Sequence, residues 1–530
     1  MAILEQSEAL SIEGQPRVGI SSDRSTSSSA QIKALPFEQG DDSYQAQLPE
    51  DILHQIHFLM PMREAAQATI VSHSFLCSWR FFPKLILSID SLGINKDAYE
   101  QDELATVFIS RAERIMQSHS GRGVKVFKLE TFPCSNMHPS YVDHWLQVAL
   151  TPGIEEIKLS MFKSDLDKMY NFPVSFLSNE ARISIKSFLL AVCSFHSAAK
   201  VGCMSSLTNL DLYSVHITGE ELYGFLSNSL ALERFKLCYC DDIVRLRIPS
   251  LLQALHTLNI LGCGKLKKID STAPNLCNFS YSGPPVHISL GDALQVRKIS
   301  FSSDYSSNTL YYASTKLPFI APHLETLELS TSDEVSSSHP TYFMFYGSKK
   351  MVDTPMACGK FLQLKYLEIV VSAPDFSQDY DLYSLVSFLD ASPLLETFIL
   401  RIALPTVRND SIIADSGGYP HHRSLQRCLS ECYHDNLKNV MITGFCSAKS
   451  LIDFTIHVIE KTKLQCLTLD TTRGHDRSLF GVGRCLLLNK EALMEADKAR
   501  VAIRRYVEGI VPSYVDLKII EPCSNCMYKP

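Results

Sequence analysis

Apolar residues along this chain follow two periods, one after the other. Leu48, Ile52, Ile56 and Leu59 recur at i, i+4, i+8 and i+11, one stripe of a helix. Pro49 suits the first turn, where its missing N–H is not needed. Glu50 and Asp51 favour the same turn electrostatically, and Pro61 ends the helix. Met62, Ala65, Ala66 and Thr69 predict a second short helix. Phe75, Leu76 and Trp79 predict a third, around Ser72 to Phe81. Three short helices in about 40 residues lie near the lower size limit for an independent core, so the module should lean on a partner or on the domain after it. Residues 101–118 predict one longer helix, with Leu104, Val107, Phe108 and Ile115 on one side.

From Val124 the period changes. The pattern apolar-x-x-apolar-x-apolar returns twelve times, from Val124-Phe127-Leu129 and Ile154-Ile157-Leu159 to Leu437-Val440-Ile442 and Leu464-Leu467-Leu469. Between Leu207 and Val296 successive copies start 25, 23, 21 and 20 residues apart. That is the leucine-rich-repeat signature, whose period is about 20–29 residues. The last three positions alternate in and out as a strand does, and each coil buries its apolar side by stacking on its neighbours. Cys240 and Cys263 follow strands, where the repeat favours Asn or Cys to bond the backbone between coils. Residues 140–150, 218–229, 382–392 and 448–462 predict helices on the far side. The shorter coils should cross by loops or 3₁₀ turns. Residues 330–340 and 413–423 read as surface insertions. Residues 489–510 place Leu493, Ala496, Ile503, Val507 and Ile510 on one helical face, and 515–520 are strand-like. This end is expected to cap the solenoid.

Composition narrows the function classes. The 530 residues carry a net charge of -7, with 45% hydrophobic and 20% charged residues. A mildly acidic chain gives no reason to expect nucleic acid as a partner. No apolar run reaches the ~18 residues of a membrane span, and the start, MAILEQSEALSIEG, is not a secretory signal. The expectation is an intracellular protein, nuclear or cytoplasmic, with reduced cysteines. Residues 1–45 contain SSDRSTSSSA, seven acidic residues and three basic ones, and read as a disordered leader.

Residues 48–87 resemble the F-box. The match rests on Leu48-Pro49, Ile52, Leu53, Ile56, Leu59-Met60, Arg63-Glu64-Ala65-Ala66, Val71-Ser72 and Trp79. An F-box followed by leucine-rich repeats is similar to the plant F-box/LRR-repeat family, in wording especially to versions abundant in grasses. His73 departs from the Arg or Lys usual after the Val-Ser pair. The resemblance implies an α/β chain: a three-helix F-box module, then an irregular solenoid with a parallel sheet on its concave face. The expected division is a leader over 1–45, the F-box over 46–90, a helical linker and cap over 91–123, repeats over 124–480 and a C-terminal cap over 481–530. It further implies a substrate receptor of an SCF-type (cullin–RING) ubiquitin ligase. The F-box would dock the SCF adaptor, the S-phase kinase-associated protein, and through it cullin. The repeats would bind a target protein. Adaptor-docking candidates are Leu48, Pro49, Ile52, Leu53, Ile56, Met60 and Trp79. Ile56, Val71 and Trp79 could equally belong to the module's own core. A scaffold or inhibitor that assembles no ligase is the alternative.

Target-binding candidates are the residues between the two inward strand positions. They are Lys128, Lys158, Asp211, Lys236, Asn259, Ser280, Ser300, Glu328 and Glu368, continuing as Ile399, Met441 and Thr468. Lysines give way along that row to small polar, then acidic, then apolar residues, which reads as a protein-binding surface of graded charge. An anion pocket would instead need several converging Arg or Lys side chains. Rival chemistry is thin. Cys523 and Cys526 form a single C-x-x-C, with no second pair for zinc. His421 and His422 sit in a Gly/Pro-rich stretch, and no phosphate-loop, nucleophile-elbow or H-E-x-x-H motif occurs. The short basic stretches 264–268 and 501–506 are weak nucleic-acid signals. No cofactor, metal or catalytic residue is expected.

Overall fold

The structure, a computed structural model, describes residues 49–523 apart from 72, 135–136, 163–168, 197, 292–293, 304–308, 332–358, 373–380, 404–409, 414–431 and 473–487. The leader, Leu48, both insertions over most of their length, His421, His422 and Cys526 therefore lie outside the described residues. The chain divides into two compact units, Met1–Cys193 and Ser194–Pro530.

The first unit opens with α1 (Glu50–Leu59), α2 (Met62–Val71) and α3 (His73–Trp79). These are the three helices the spacing predicts. Their core is Met62, Ala65, Ala66, Trp79 and Phe82, with Met60, Ile86 and Ile115 packed against it. Trp79 stacks on Phe82 at 5.0 Å. Its indole N–H donates to Ser118 Oγ at 3.2 Å. Ser118 ends α4 (Gln101–Ser118), and the next residue, His119, bonds the Phe82 carbonyl at 2.9 Å. The small module thus leans on α4, as its size requires.

Strands β1 (Lys84–Leu87), β2 (Val126–Glu130), β3 (Glu156–Ser160) and β4 (Ser187–Ala191) complete this unit, all parallel. Helices α5 (Pro139–Ala149) and α6 (Asn179–Ser184) join them. Leu85, Phe127, Ile157 and Phe188 form one inner row, and Leu87, Leu129, Leu159 and Leu190 the next. The twelve copies leave out β1, which follows Pro83 directly, and β4, which closes a gap of 53 residues between copies, although Phe82-Leu85-Leu87 and Ile185-Phe188-Leu190 have the same spacing. Trp145 lies wholly buried on α5, its indole N–H donating to Glu113 at 2.7 Å.

The second unit runs through β5 (Asn209–Tyr213), α7 (Gly219–Ser227), β6 (Arg234–Cys238), β7 (Arg245–Ile248), β8 (Thr257–Leu261), β9 (Lys268–Ser271), β10 (Asn278–Gly283), β11 (His287–Ser289) and β12 (Lys298–Ser303). Then come α8 (Thr309–Ile320), β13 (Thr326–Ser330), β14 (Tyr366–Ser372), α9 (Val386–Asp390), β15 (Thr397–Ala403), β16 (Asn439–Thr443), α10 (Lys449–Lys461), β17 (Cys466–Asp470), α11 (Lys490–Tyr506) and β18 (Asp516–Ile520). Strands β5, β6, β8, β10 and β12–β18 pair in that order, all parallel. Each of the twelve copies forms one strand.

The short coils correct one expectation. They cross back neither by loops nor by 3₁₀ turns but through β7, β9 and β11, a second parallel sheet. Leu246, Ile269 and Ile288 turn inward from it. In a 20-residue coil an extended crossing covers the width that a helix would need more residues to span. Helix α8 was also missed, because its apolar and polar residues are poorly segregated and Pro318 lies inside it. At the C-terminal end Ala492, Ala496, Ala499, Ala502 and Ile503 are buried on α11, but Ile510 falls in a 3₁₀ turn and is 43% exposed.

Glycine matters most at 444. It follows β16 with φ +66°, and an added Cβ would lie 2.0 Å from the Ile402 carbonyl oxygen. Gly444→Ala is expected to cost more than about 3 kcal/mol, from strain plus backbone clash. Chemical denaturation measures this, and a loss under about 1 kcal/mol would contradict the close approach.

A second prediction concerns His434 and His457, both buried with rings 5.8 Å apart. Burial holds His457 down to about 4, assisted by neighbouring His434, while nearby Asp390 opposes the shift. Burial lowers His434 too, against Asp390 at 3.5 Å. The unfolded imidazole takes its proton near 6.5, so protons favour unfolding below that pH, down to the folded value. Stability is therefore expected to fall between pH 6.5 and about 4, more steeply in the wild type than in His457→Phe. Parallel profiles from urea melts would contradict it.

Candidate functional site

Two surfaces carry the predicted site residues, and each forms locally. In the first unit, helix α1 turns its stripe outward. Pro49 is exposed, Ile52 is 37% exposed and Leu59 80% exposed, while Ile56 and Met60 are half-buried. The Leu53 side chain is not among those described, nor is Leu48. Trp79 does not belong with them. At 3% exposure it is the centre of the module's core and reaches no free surface. Its aromatic bulk is what joins α3 to α4. The core of the module is built mainly from α2 and the segment after it, which leaves the α1 stripe uncovered.

The second surface is the outward face of the repeat strands. Parallel pairing in strict register puts equivalent positions side by side. In the first unit Ile86, Lys128, Lys158 and Leu189 share one row. In the second unit the row is Asp211, Lys236, Asn259, Ser280, Ser300, Glu328, Glu368, Ile399, Met441, Thr468 and Lys518. All twelve predicted face residues fall in these rows. Their strand neighbours on either side are buried, as alternation demands. Ile86 and Leu189 share the rows but belong to none of the twelve copies, even though Phe82-Leu85-Leu87 and Ile185-Phe188-Leu190 carry the repeat spacing; Lys518 lies on the strand of the C-terminal cap.

Several of the charges on these rows are paired. Lys128 reaches Glu156 at 2.6 Å, and Lys158 bonds Glu130. Lys298 reaches Glu328 at 2.5 Å, and Ser300 Oγ donates to the same carboxylate at 2.6 Å. Arg401 reaches Glu368 at 2.5 Å, and the Tyr366 hydroxyl donates to it at 2.6 Å. Burial and the Glu368 carboxylate raise the Tyr366 phenol. Glu328 and Glu368 each hold one cation and one hydroxyl, with partners on adjacent strands or their own. Partial burial pushes the Asp211 carboxyl up, against the pull of Lys236 and Arg234. Beside it, Tyr213 and Tyr239 pack edge to face at 5.2 Å, with Tyr213 43% exposed. Sequence spacing places a residue on the face but not its ion-pair partner, which sits a coil away.

The cysteines are structural here. Cys240 Sγ lies 3.4 Å from the Val215 N–H, which donates to it, and Cys263 Sγ faces the Leu237 carbonyl at 3.9 Å. Burial pushes the Cys263 thiol up to about 12, far from a reactive thiolate. Among the described residues no group of three or more His, Cys, Asp or Glu could hold a metal, and no helix is long and apolar enough to cross a membrane.

Residues 115–524 match the family model described as At1g61320/AtMIF1, LRR domain. The chain belongs to that leucine-rich-repeat family. Its similarity to plant F-box/LRR-repeat proteins holds too, at low identity. It is 24% identical to the Arabidopsis thaliana F-box/LRR-repeat protein At3g58940 over 244 residues, 44% of this chain and 39% of that one. It is also 24% identical to F-box/LRR-repeat protein At3g58900 of the same plant over 245 residues, 44% of this chain and 71% of that one. The chain spans 39%, 30% and 43% of the length of three of the curated relatives it matches. Among solved structures, the yeast Rad7 and Elc1 complex aligns at 10% identity with a TM-score of 0.29, covering 68% of this chain and 90% of that one. That likeness is too slight to bear on the fold.

The ion pairs on the rows are partly exposed, so each should stabilise the fold only slightly. Glu368→Gln, which strands Arg401, is expected to cost no more than about 1 kcal/mol in urea denaturation. A loss above about 3 kcal/mol would mean the network holds the sheet together rather than decorating it.

Proposed function

We propose that this protein is a substrate-recognition subunit of an SCF-type ubiquitin ligase. In this reading residues 46–90 act as an F-box that docks the S-phase kinase-associated protein, and through it cullin. The repeat rows bind the target protein. The observation that carries it is the uncovered stripe on α1: Leu59 is 80% exposed and Ile52 37% exposed, on a helix whose module already has a closed core around Trp79. Apolar side chains kept in water on a short helix mark a docking face. The F-box/LRR-repeat names of the relatives support the same reading. Pro49, Ile52, Ile56 and Met60, with Leu48 and Leu53, are the adaptor-docking residues. Trp79 supports them from inside.

The row residues suit protein recognition. Lys128, Lys158, Asp211, Lys236, Asn259, Ser280, Ser300, Glu328 and Glu368 stand on paired strands, and Lys128, Lys158, Glu328 and Glu368 are held by salt bridges before a partner arrives, which lowers the entropy cost of binding. Such a receptor breaks no bonds. It raises the effective concentration of the target at the ligase. The second reading, a repeat scaffold that assembles no ligase, keeps the rows and drops the adaptor.

The test is capture of the purified adaptor by the full chain. Wild type is expected to retain it, and Pro49→Ala/Ile52→Asp to lose at least tenfold in affinity with an unchanged melting temperature. If neither chain binds, the ligase reading fails and the scaffold reading stands.

A further inference from the structure

Beside α1 lies a groove of about 710 Å³. It is lined by the apolar Leu59, Phe81 and Pro83, by Gln55 and Gly123, and by the cationic Arg122 and Lys125. Gly123 has φ +78°, so a side chain there would be strained. Lys125 shares its charge with Glu155 at 3.1 Å. Arg122 is exposed and makes no ion pair among the described residues. The groove therefore wants an occupant with apolar side chains followed by negative charge.

The chain supplies one. The segment Ala34-Leu35-Pro36-Phe37-Glu38-Gln39-Gly40-Asp41-Asp42 carries two large apolar residues, then three acids, and no base. It precedes the described residues, which begin at Pro49, one residue before α1. The distance suits it. Pro49 to Leu59 is ten residues, about 15 Å along a helix. Seven extended residues from Asp42 to Pro49 span up to about 23 Å. The segment can thus fold back along α1 and set Phe37 against Leu59 and Phe81, with its acids toward Arg122. Tethering adds an effective concentration near millimolar, so a weak contact suffices.

We infer that residues 35–42 of the leader dock in this groove, making the leader an internal ligand of the α1 surface. The contact buries Leu59, which lies on the stripe proposed for adaptor docking, but the inference stands whether or not an adaptor binds. The test places the photo-crosslinker benzoylphenylalanine at position 37 of the full chain. Irradiation of dilute protein should join it to peptides containing Leu59, Phe81 or Arg122 within one molecule. Arg122→Glu should cut that yield severalfold, and adding Glu38→Arg/Asp41→Arg/Asp42→Arg should restore it. Arg122 is exposed, so its exchange leaves folding intact, and the melting temperature verifies this. Three outcomes overturn the inference: no adduct, an adduct elsewhere on the chain, or a yield that rises with protein concentration. The last would make a second copy the occupant.

Discussion

Everything in the repeat units depends on how one coil's backbone grips the next. At many strands of the main sheet, one carbonyl just before the strand accepts two N–H groups from the following coil. Lys125 O takes those of Glu155 and Glu156, and Thr208 O those of Glu233 and Arg234. Glu325 O takes those of Lys365 and Tyr366, and Lys438 O those of Gln465 and Cys466. The forked bond fixes register before the strand ladder begins. With register fixed, side chains of period two cannot slip to the other face. Inner rows then stack like on like: Leu210, Phe235 and Leu258, then Phe279, Ile299 and Leu327.

The same constraint makes the surface. A fixed register brings Glu328 beside Glu368, two like charges on adjacent strands that would repel. Lys298 and Arg401 flank them, and Ser300 and Tyr366 fill the remaining acceptor sites. One position before the strands, Glu155 lies between Lys125 and Lys186, and Glu325 between Arg297 and Lys365. The hydrogen bond from Lys186 leads in holding the Glu155 carboxyl low, although burial opposes it. Charges on the sheet are thus arranged by alternation across coils, giving a patterned surface rather than a field of one sign.

Much of this was legible in the sequence, because the repeat's chemistry is local. Leu210 and Leu212, with Leu207 three positions before, announce a strand within six residues. The helices over 50–59 and 101–118 announce themselves by spacing and Pro61. What stayed hidden depends on contacts between coils. Strands β7, β9 and β11 are short, such as HIS at 287–289, and only their neighbours make them a sheet. Trp79 reads equally well as docking residue or core until Ser118, 39 residues on, takes its indole hydrogen. Lys158 looks like free positive charge until Glu130, one coil earlier, is seen to bond it.

The proposed division of labour between α1 and the strand rows can be tested directly by hydrogen exchange of the full chain with and without the purified adaptor. The account predicts that added adaptor slows exchange over residues 50–60 and leaves the strands of the second unit, β5 to β18, unchanged. Slowed exchange in those strands with none over 50–60 would contradict it.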